Sequence, residues 1–162
     1  HFRHHEVVGA KMTKKILQNL KYDKKTIKSV ARLVELHLRP HTFKMGWTDS
    51  AVRRYIVDAG DVLEDLNNLV RADVTTKNKQ KAQEIYEKLD EMETRIKEVL
   101  EKEEMSKLRP PITGDEIMSL FNLEPGPKVG LIMKALYEQR INDGEVSKEE
   151  AIKLAKETFN NL

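Results

Sequence analysis

Asn78–Glu104 reads NKQKAQEIYEKLDEMETRIKEVLEKEE, and its apolar residues decide the architecture. Ala82, Ile85, Leu89, Met92, Ile96 and Val99 follow one another at alternating intervals of three and four, which places them in one seam of an α-helix. The residues between them (Glu84, Glu87, Lys88, Glu91, Arg95, Glu98 and Glu101) are charged, so the remaining faces meet water. A helix of about 27 residues is roughly 40 Å long. One packed seam with solvated flanks is the favoured reading, and a helical interaction module that dimerises through the same seam is its competitor.

Helical periodicity continues in both directions. Upstream, a helix is expected over about 4–20, with Val8, Met12, Ile16 and Leu20 recurring every fourth residue, and a second over about 24–38, with Ile27, Val30, Val34 and His37 on one face. Pro40 ends the second. After a loop over 40–46, Thr48 or Asp49 caps a third helix whose inner face is Val52, Ile56 and Ala59 and which Gly60 stops. A fourth, from about Asp61, aligns Leu63, Leu66, Val70 and Asp73. Downstream, Leu108-Arg109-Pro110-Pro111 punctuates the chain. Thr113-x-x-Glu116 and Ser147-x-x-Glu150 are capping boxes, and Pro127 suits the first turn of the helix between them. No alternating β-branched run reads as a sheet. The expected fold is all-α: a helical bundle over 1–75, a long bridging helix over 76–107 and a small helical domain over 108–162.

The 162 residues are 35% charged and 6% aromatic and contain no cysteine, which excludes disulfides, thiolate catalysis and Cys-type zinc sites. No apolar stretch approaches the roughly 20 residues that span a bilayer, and no signal peptide is visible, so no membrane partner and a cytoplasmic location are expected. The chain starts at His1 and its first methionine is Met12, which reads as a piece of a longer polypeptide. The net charge of +2 is uneven: residues 1–60 hold 13 Lys+Arg against 5 Asp+Glu, and residues 61–162 hold 16 against 22. The basic part is the candidate for a polyanion.

Two constellations carry candidate chemistry. His5 at a helix start, His37 at the end of one stripe and Asp73 at the end of another are the ingredients of a divalent-metal site, which would polarise phosphate or activate water. The competing reading is a hydrogen-bonded core histidine and a helix-end acid. The second constellation is basic. Arg53 and Arg54 are placed on the outer side of the third helix, Lys77, Lys79 and Lys81 alternate at the start of the long one, and Lys128 follows Pro-Gly-Pro at a helix N-terminus, where phosphate is favoured. Such residues fix the register of a nucleic acid rather than read its sequence, and Trp47 and Tyr55 are the candidates for stacking on unpaired bases. No HExxH, Gly-rich phosphate loop or Ser/His/Asp order is present, and no catalytic residue is assigned.

Longer stretches resemble a known family. FRHHEVVGAKM (2–12) and ARLVELHLRP (31–40) are similar to the later half of an HD domain. WTDSAVRRYIVDAGDVLEDLNNLVRADVTTKN (47–78) resembles the helical stretch that follows in bacterial CCA-adding tRNA nucleotidyltransferases with a fused HD domain. PPITGDEIMSLFNLEPGPKVGLIMKAL (110–136) and GEVSKEEAIKLA (144–155) resemble the C-terminal domain of those enzymes. The resemblance implies tRNA 3′-end processing with CTP, ATP and magnesium, performed in a head that lies N-terminal to the HD region and has no counterpart here. This chain is therefore expected to hold tRNA, to be inactive alone and to need no cofactor of its own beyond a divalent metal at the HD remnant. His5 and His37 match the two later HD histidines and Asp73 the final aspartate. The His-Asp doublet that precedes them in the family is missing, which leaves a metal-dependent phosphohydrolase as the alternative reading with an incomplete ligand set. Arg53, Arg54, Lys77, Lys79 and Lys128 lie in matching stretches and are the expected RNA contacts. A bundle short of its early helices is also expected to expose apolar surface and to self-associate through it.

Overall fold

A computed structural model describes residues 4–43, 46–103 and 109–162. Every regular element among them is helical: α1 (His5–Asn19), α2 (Lys24–Leu36), α3 (Asp49–Ala59), α4 (Leu63–Ala72), α5 (Lys79–Glu103), α6 (Gly114–Phe121), α7 (Pro127–Asp143) and α8 (Lys148–Asn160), with 3-10 turns at Arg39–Thr42 and Gly60–Val62. The all-α expectation is met. The expected end of the long helix at Glu104, the break at Leu108 and the histidine at position 1 lie outside the described residues. The chain forms two compact units, one of residues 1–47 and 54–96 and one of 48–53 and 97–162.

In the first unit, α1 and α2 form a hairpin. Asp23 caps α2 by accepting the N–H groups of Lys25 (2.9 Å) and Thr26 (3.0 Å) and the Thr26 hydroxyl; the hydroxyl, with the N–H groups, holds its carboxyl below the usual range. The helices approach closely at Gly9, where a Cβ would lie 3.1 Å from Val34 Cγ1, and beside it Ala10 is buried. The Val8, Met12, Ile16 and Leu20 stripe, by contrast, faces solvent, at 54%, 58%, 52% and 63% exposure. Residues four apart drift by about 40° per step around a helix, and here the line that packs is the small-residue one through Gly9, Ala10 and Thr13. The core of this unit lies elsewhere: Tyr55, Ile56 and Ala59 of α3, Leu66 and Val70 of α4, and Leu89, Met92 and Ile96 of α5 are all buried. Arg71 of α4 clamps α5, with Nε 2.9 Å from Glu93 Oε1 and Nη2 2.9 Å from Glu93 Oε2 and 2.5 Å from Asp90 Oδ1. This paired geometry is the strong form of the Arg–carboxylate bond.

In the second unit α6, α7 and α8 enclose Ile112, Ile117, Ile132, Leu136, Ala151 and Ala155. Both capping boxes form as the sequence predicts. Glu116 has two tasks: it accepts the Thr113 N–H at 2.7 Å and the Lys148 ammonium at 2.6 Å, which ties the start of α6 to the start of α8. The Lys148 hydrogen bond and then the Thr113 N–H lower the pKa of Glu116, and the Ser147 hydroxyl and N–H lower that of Glu150. A carboxyl depressed in the folded state stabilises it above the ordinary glutamate value of about 4.3 and stops doing so as pH falls through the lower, folded value. The melting temperature is thus expected to hold from neutrality to about pH 5 and to fall below it, with a shallower fall in Glu116→Gln. A scan from pH 7 to pH 2.5 checks this, and identical acid limbs for the two proteins would count against it.

Candidate nucleic-acid interface

The structure sorts the five predicted RNA contacts into different kinds of residue. Lys77, Lys79 and Lys128 are exposed, Arg54 is half-buried and Arg53 is buried. Arg53 is the correction. It retains 6% exposure, its Nε donates to the Ile141 carbonyl at 2.7 Å, and its Nη2 donates to that of Asn142 at 3.0 Å. Those carbonyls belong to the last turn of α7, where intrahelical partners run out. The Gly144 N–H takes the Arg140 carbonyl at 3.1 Å, and Arg53 takes the next two. A guanidinium at a helix C-terminus also meets the negative end of the helix dipole. Gly144 makes room for it: φ is +80°, and a Cβ there would lie 3.0 Å from Arg53 Nη1. Arg53 is therefore a cap for α7 and not part of a surface.

Tyr55 is corrected too. It is 1% exposed, and its hydroxyl donates to Asn67 Oδ1 at 2.9 Å. Burial, and then the Glu93 carboxylate, push its phenol well above the usual value, so the ring stays neutral and inside. Trp47 is half-buried between the Tyr55 ring at 5.2 Å and the Phe43 ring at 5.4 Å. Neither ring is a platform for a base.

The lysines stand where a helix ordinarily prefers acids. The first turn of α5 has no acidic residue and begins at Lys79, with Lys77 just ahead and Lys81 just inside. Asn78 covers the end by accepting the Lys81 N–H at 3.1 Å. The first turn of α7 likewise has no acid and carries Lys128, whose Nζ lies 5.9 Å from the centre of the Phe159 ring; that ring stacks on Phe121 at 4.5 Å. The first turns of α6 and α8 carry two acids each. Cations at a helix N-terminus oppose the dipole, so α5 and α7 forgo some local stability to keep positive charge beside the backbone N–H groups of a helix start.

The predicted metal ligands come together only in part. The His5 and His37 rings lie 5.6 Å apart, and His37 Nδ1 is 2.7 Å from the Val34 carbonyl, a bond that fixes the ring. Asp73 is an exposed residue at the C-cap of α4. The carboxylate beside His5 is instead that of Glu6, at 4.0 Å. Among the described residues no group of three or more His, Asp or Glu side chains has metal-holding geometry. A cleft of about 340 Å³ near the start of α1 is lined by Glu6, Arg32, Glu35, Arg39 and Asp58 among others. Its charges answer one another: the Asp58 carbonyl accepts Arg32 Nε at 2.7 Å and its carboxylate accepts Arg39.

Residues 6–155 match the family described as tRNA nucleotidyltransferase domain 2, and the chain belongs to that family. It is 33% identical over 151 residues to the CC-adding tRNA nucleotidyltransferase of Thermus thermophilus, covering 93% of this chain and 32% of that protein. It is also 33% identical over 141 residues to the A-adding tRNA nucleotidyltransferase of Deinococcus radiodurans, covering 86% of this chain and 31% of that protein. The chain thus spans about a third of the length of these curated relatives. No solved structure matches it. No helix among the described residues is long and apolar enough to cross a membrane.

Proposed function

We propose that this chain is the tRNA-holding helical part of a tRNA nucleotidyltransferase, which positions tRNA for nucleotide addition to its 3′ end by a catalytic head outside this chain. The observation that carries the reading is the exposed, acid-free placement of Lys77, Lys79 and Lys128 at the starts of α5 and α7, in a chain that belongs to this family. Arg54 joins them as a candidate contact, and Arg53 leaves the set. Contacts of this kind grip phosphates, so binding is set by charge and depends weakly on base sequence.

Labelled tRNA bound by the full chain is expected to lose affinity steeply as KCl rises. Lys77→Gln, Lys79→Gln and Lys128→Gln combined are expected to reduce the slope of log K against log[salt] by roughly 2, at 0.7–0.9 per phosphate contact. Anisotropy titrations between 50 and 300 mM KCl measure it. Salt-independent binding, or a slope the triple variant leaves unchanged, sinks the reading. A metal-dependent phosphohydrolase would need a third ligand beside His5 and His37. A saturable divalent-metal site lost in both His5→Ala and His37→Ala would reinstate that alternative.

A further inference from the structure

Between Glu6 and Glu35 the chain carries eight basic residues and a single acid, Asp23. Seven of the eight are lysines of the α1–α2 hairpin (Lys11, Lys14, Lys15, Lys21, Lys24, Lys25 and Lys28), and all are exposed. None of the seven takes part in an ion pair among the described residues. The one acid, Asp23, which caps α2, is outnumbered seven to one by these lysines. Lys11 and Lys15 on α1, and Lys24 and Lys28 on α2, are four residues apart and therefore stack as like charges on one helix face. Lys24 and Lys25 also sit in the first turn of α2, against its dipole. The hairpin holds this charge at a local cost that Asp23 offsets only in part, and a polyanion would offset it further.

The tip adds an aromatic. Lys21 takes a left-handed φ of 58°, its N–H bonds the Gln18 carbonyl, and the Tyr22 N–H bonds that of Leu17 at 3.0 Å, so the turn is fixed. Tyr22 is 53% exposed and has Lys21, Lys24 and Lys25 around it in sequence. A ring held in the open among cations is what an unpaired base stacks on while its phosphates are gripped.

We propose that the α1–α2 hairpin is a further RNA-binding surface, with its lysines on the sugar-phosphate backbone and Tyr22 stacked on an unpaired base. The inference rests on the tRNA-holding reading above but uses none of the same residues. An anionic bilayer is the rival occupant, since the exposed Met12, Ile16 and Leu20 lie on the same hairpin. Three of the lysines, Lys21, Lys24 and Lys25, are next to or within three residues of Tyr22 at the tip, and membership of a tRNA nucleotidyltransferase family favours RNA.

The test uses the full chain and labelled tRNA across the same salt range, with circular dichroism confirming the helical content of each variant. Lys14→Gln, Lys15→Gln, Lys24→Gln and Lys25→Gln combined are expected to weaken binding and to flatten the salt slope by roughly 0.7–0.9 for each phosphate no longer gripped. Tyr22→Ala is expected to weaken binding roughly fivefold or more with the slope unchanged, and Tyr22→Phe to retain it. If the lysine variant binds like the parent while the Lys77, Lys79 and Lys128 variant does not, this inference falls and the tRNA-holding reading stands. If the parent chain binds no tRNA, both fall. If the lysine variant keeps tRNA binding but loses binding to phosphatidylserine vesicles that the parent has, the hairpin belongs to a membrane and the inference is overturned.

Discussion

Arg53→Ala is expected to destabilise the folded chain by about 3 kcal/mol, because a charged hydrogen bond contributes about 1.5–3 kcal/mol and each buried carbonyl left without a donor costs about 1–3. For a chain of this size that corresponds to a fall of roughly 10 °C in melting temperature. The Ile141 and Asn142 carbonyls lie in the last turn of α7, and the Gly144 N–H beside them already bonds the Arg140 carbonyl. Arg53→Lys should recover part of the loss, since an ammonium still faces the helix dipole but cannot fork to two carbonyls. Below the melting transition, tRNA affinity and its salt slope should match the parent. Thermal denaturation and anisotropy on the same preparations decide the matter. A variant as stable as the parent but weaker on tRNA would return Arg53 to the RNA-contact set and remove the capping account.

Much of the fold was legible in the sequence, for reasons that differ by element. In α5 the 3-4 seam worked because one strip of a highly charged helix had to be buried, and Leu89, Met92, Ile96 and Val99 are all at 4% exposure or less. The boxes at Thr113 and Ser147 were legible because both partners lie within one turn. Arg53 was not legible: its partners are 88 and 89 residues away, and Arg53 and Arg54 look alike on a wheel that counts only Val52, Ile56 and Ala59 as the inner face. The burial of Tyr55 shows that α3 is covered on a wider arc than that wheel allowed. Asp73 is not grouped with the histidines among the described residues, for a simpler reason. It continues the Leu66–Val70 line in sequence, but α4 ends at Ala72 and the carboxyl is left at the exposed cap. His37 also sits at a helix C-cap, that of α2, but it is half-buried there and its ring lies 5.6 Å from that of His5.

A large stability effect is expected on truncating Leu66, and the sharpest comparison is with Ile16. Both belong to i, i+4 apolar lines that the sequence alone treats as equivalent. Leu66 is 0% exposed and Ile16 is 52% exposed. Leu66→Ala removes buried methyl groups and leaves a cavity in the core of the first unit, which costs about 3–4 kcal/mol. Ile16→Ala leaves no cavity and should change stability by about 0.5 kcal/mol or less. Urea titrations followed by circular dichroism separate the two, since the midpoint should move for Leu66→Ala with the slope preserved. The Ile16 result carries the more information. A loss there of more than about 2 kcal/mol, a magnitude reserved for buried positions, would mean that the α1 stripe is covered in solution, as self-association through exposed apolar surface requires. The unfolding midpoint would then rise with protein concentration, because a species that binds only folded chains stabilises them by mass action. A small loss and a concentration-independent midpoint would instead leave α1 a helix held by its Gly9–Ala10 contact with α2, its apolar stripe open to water.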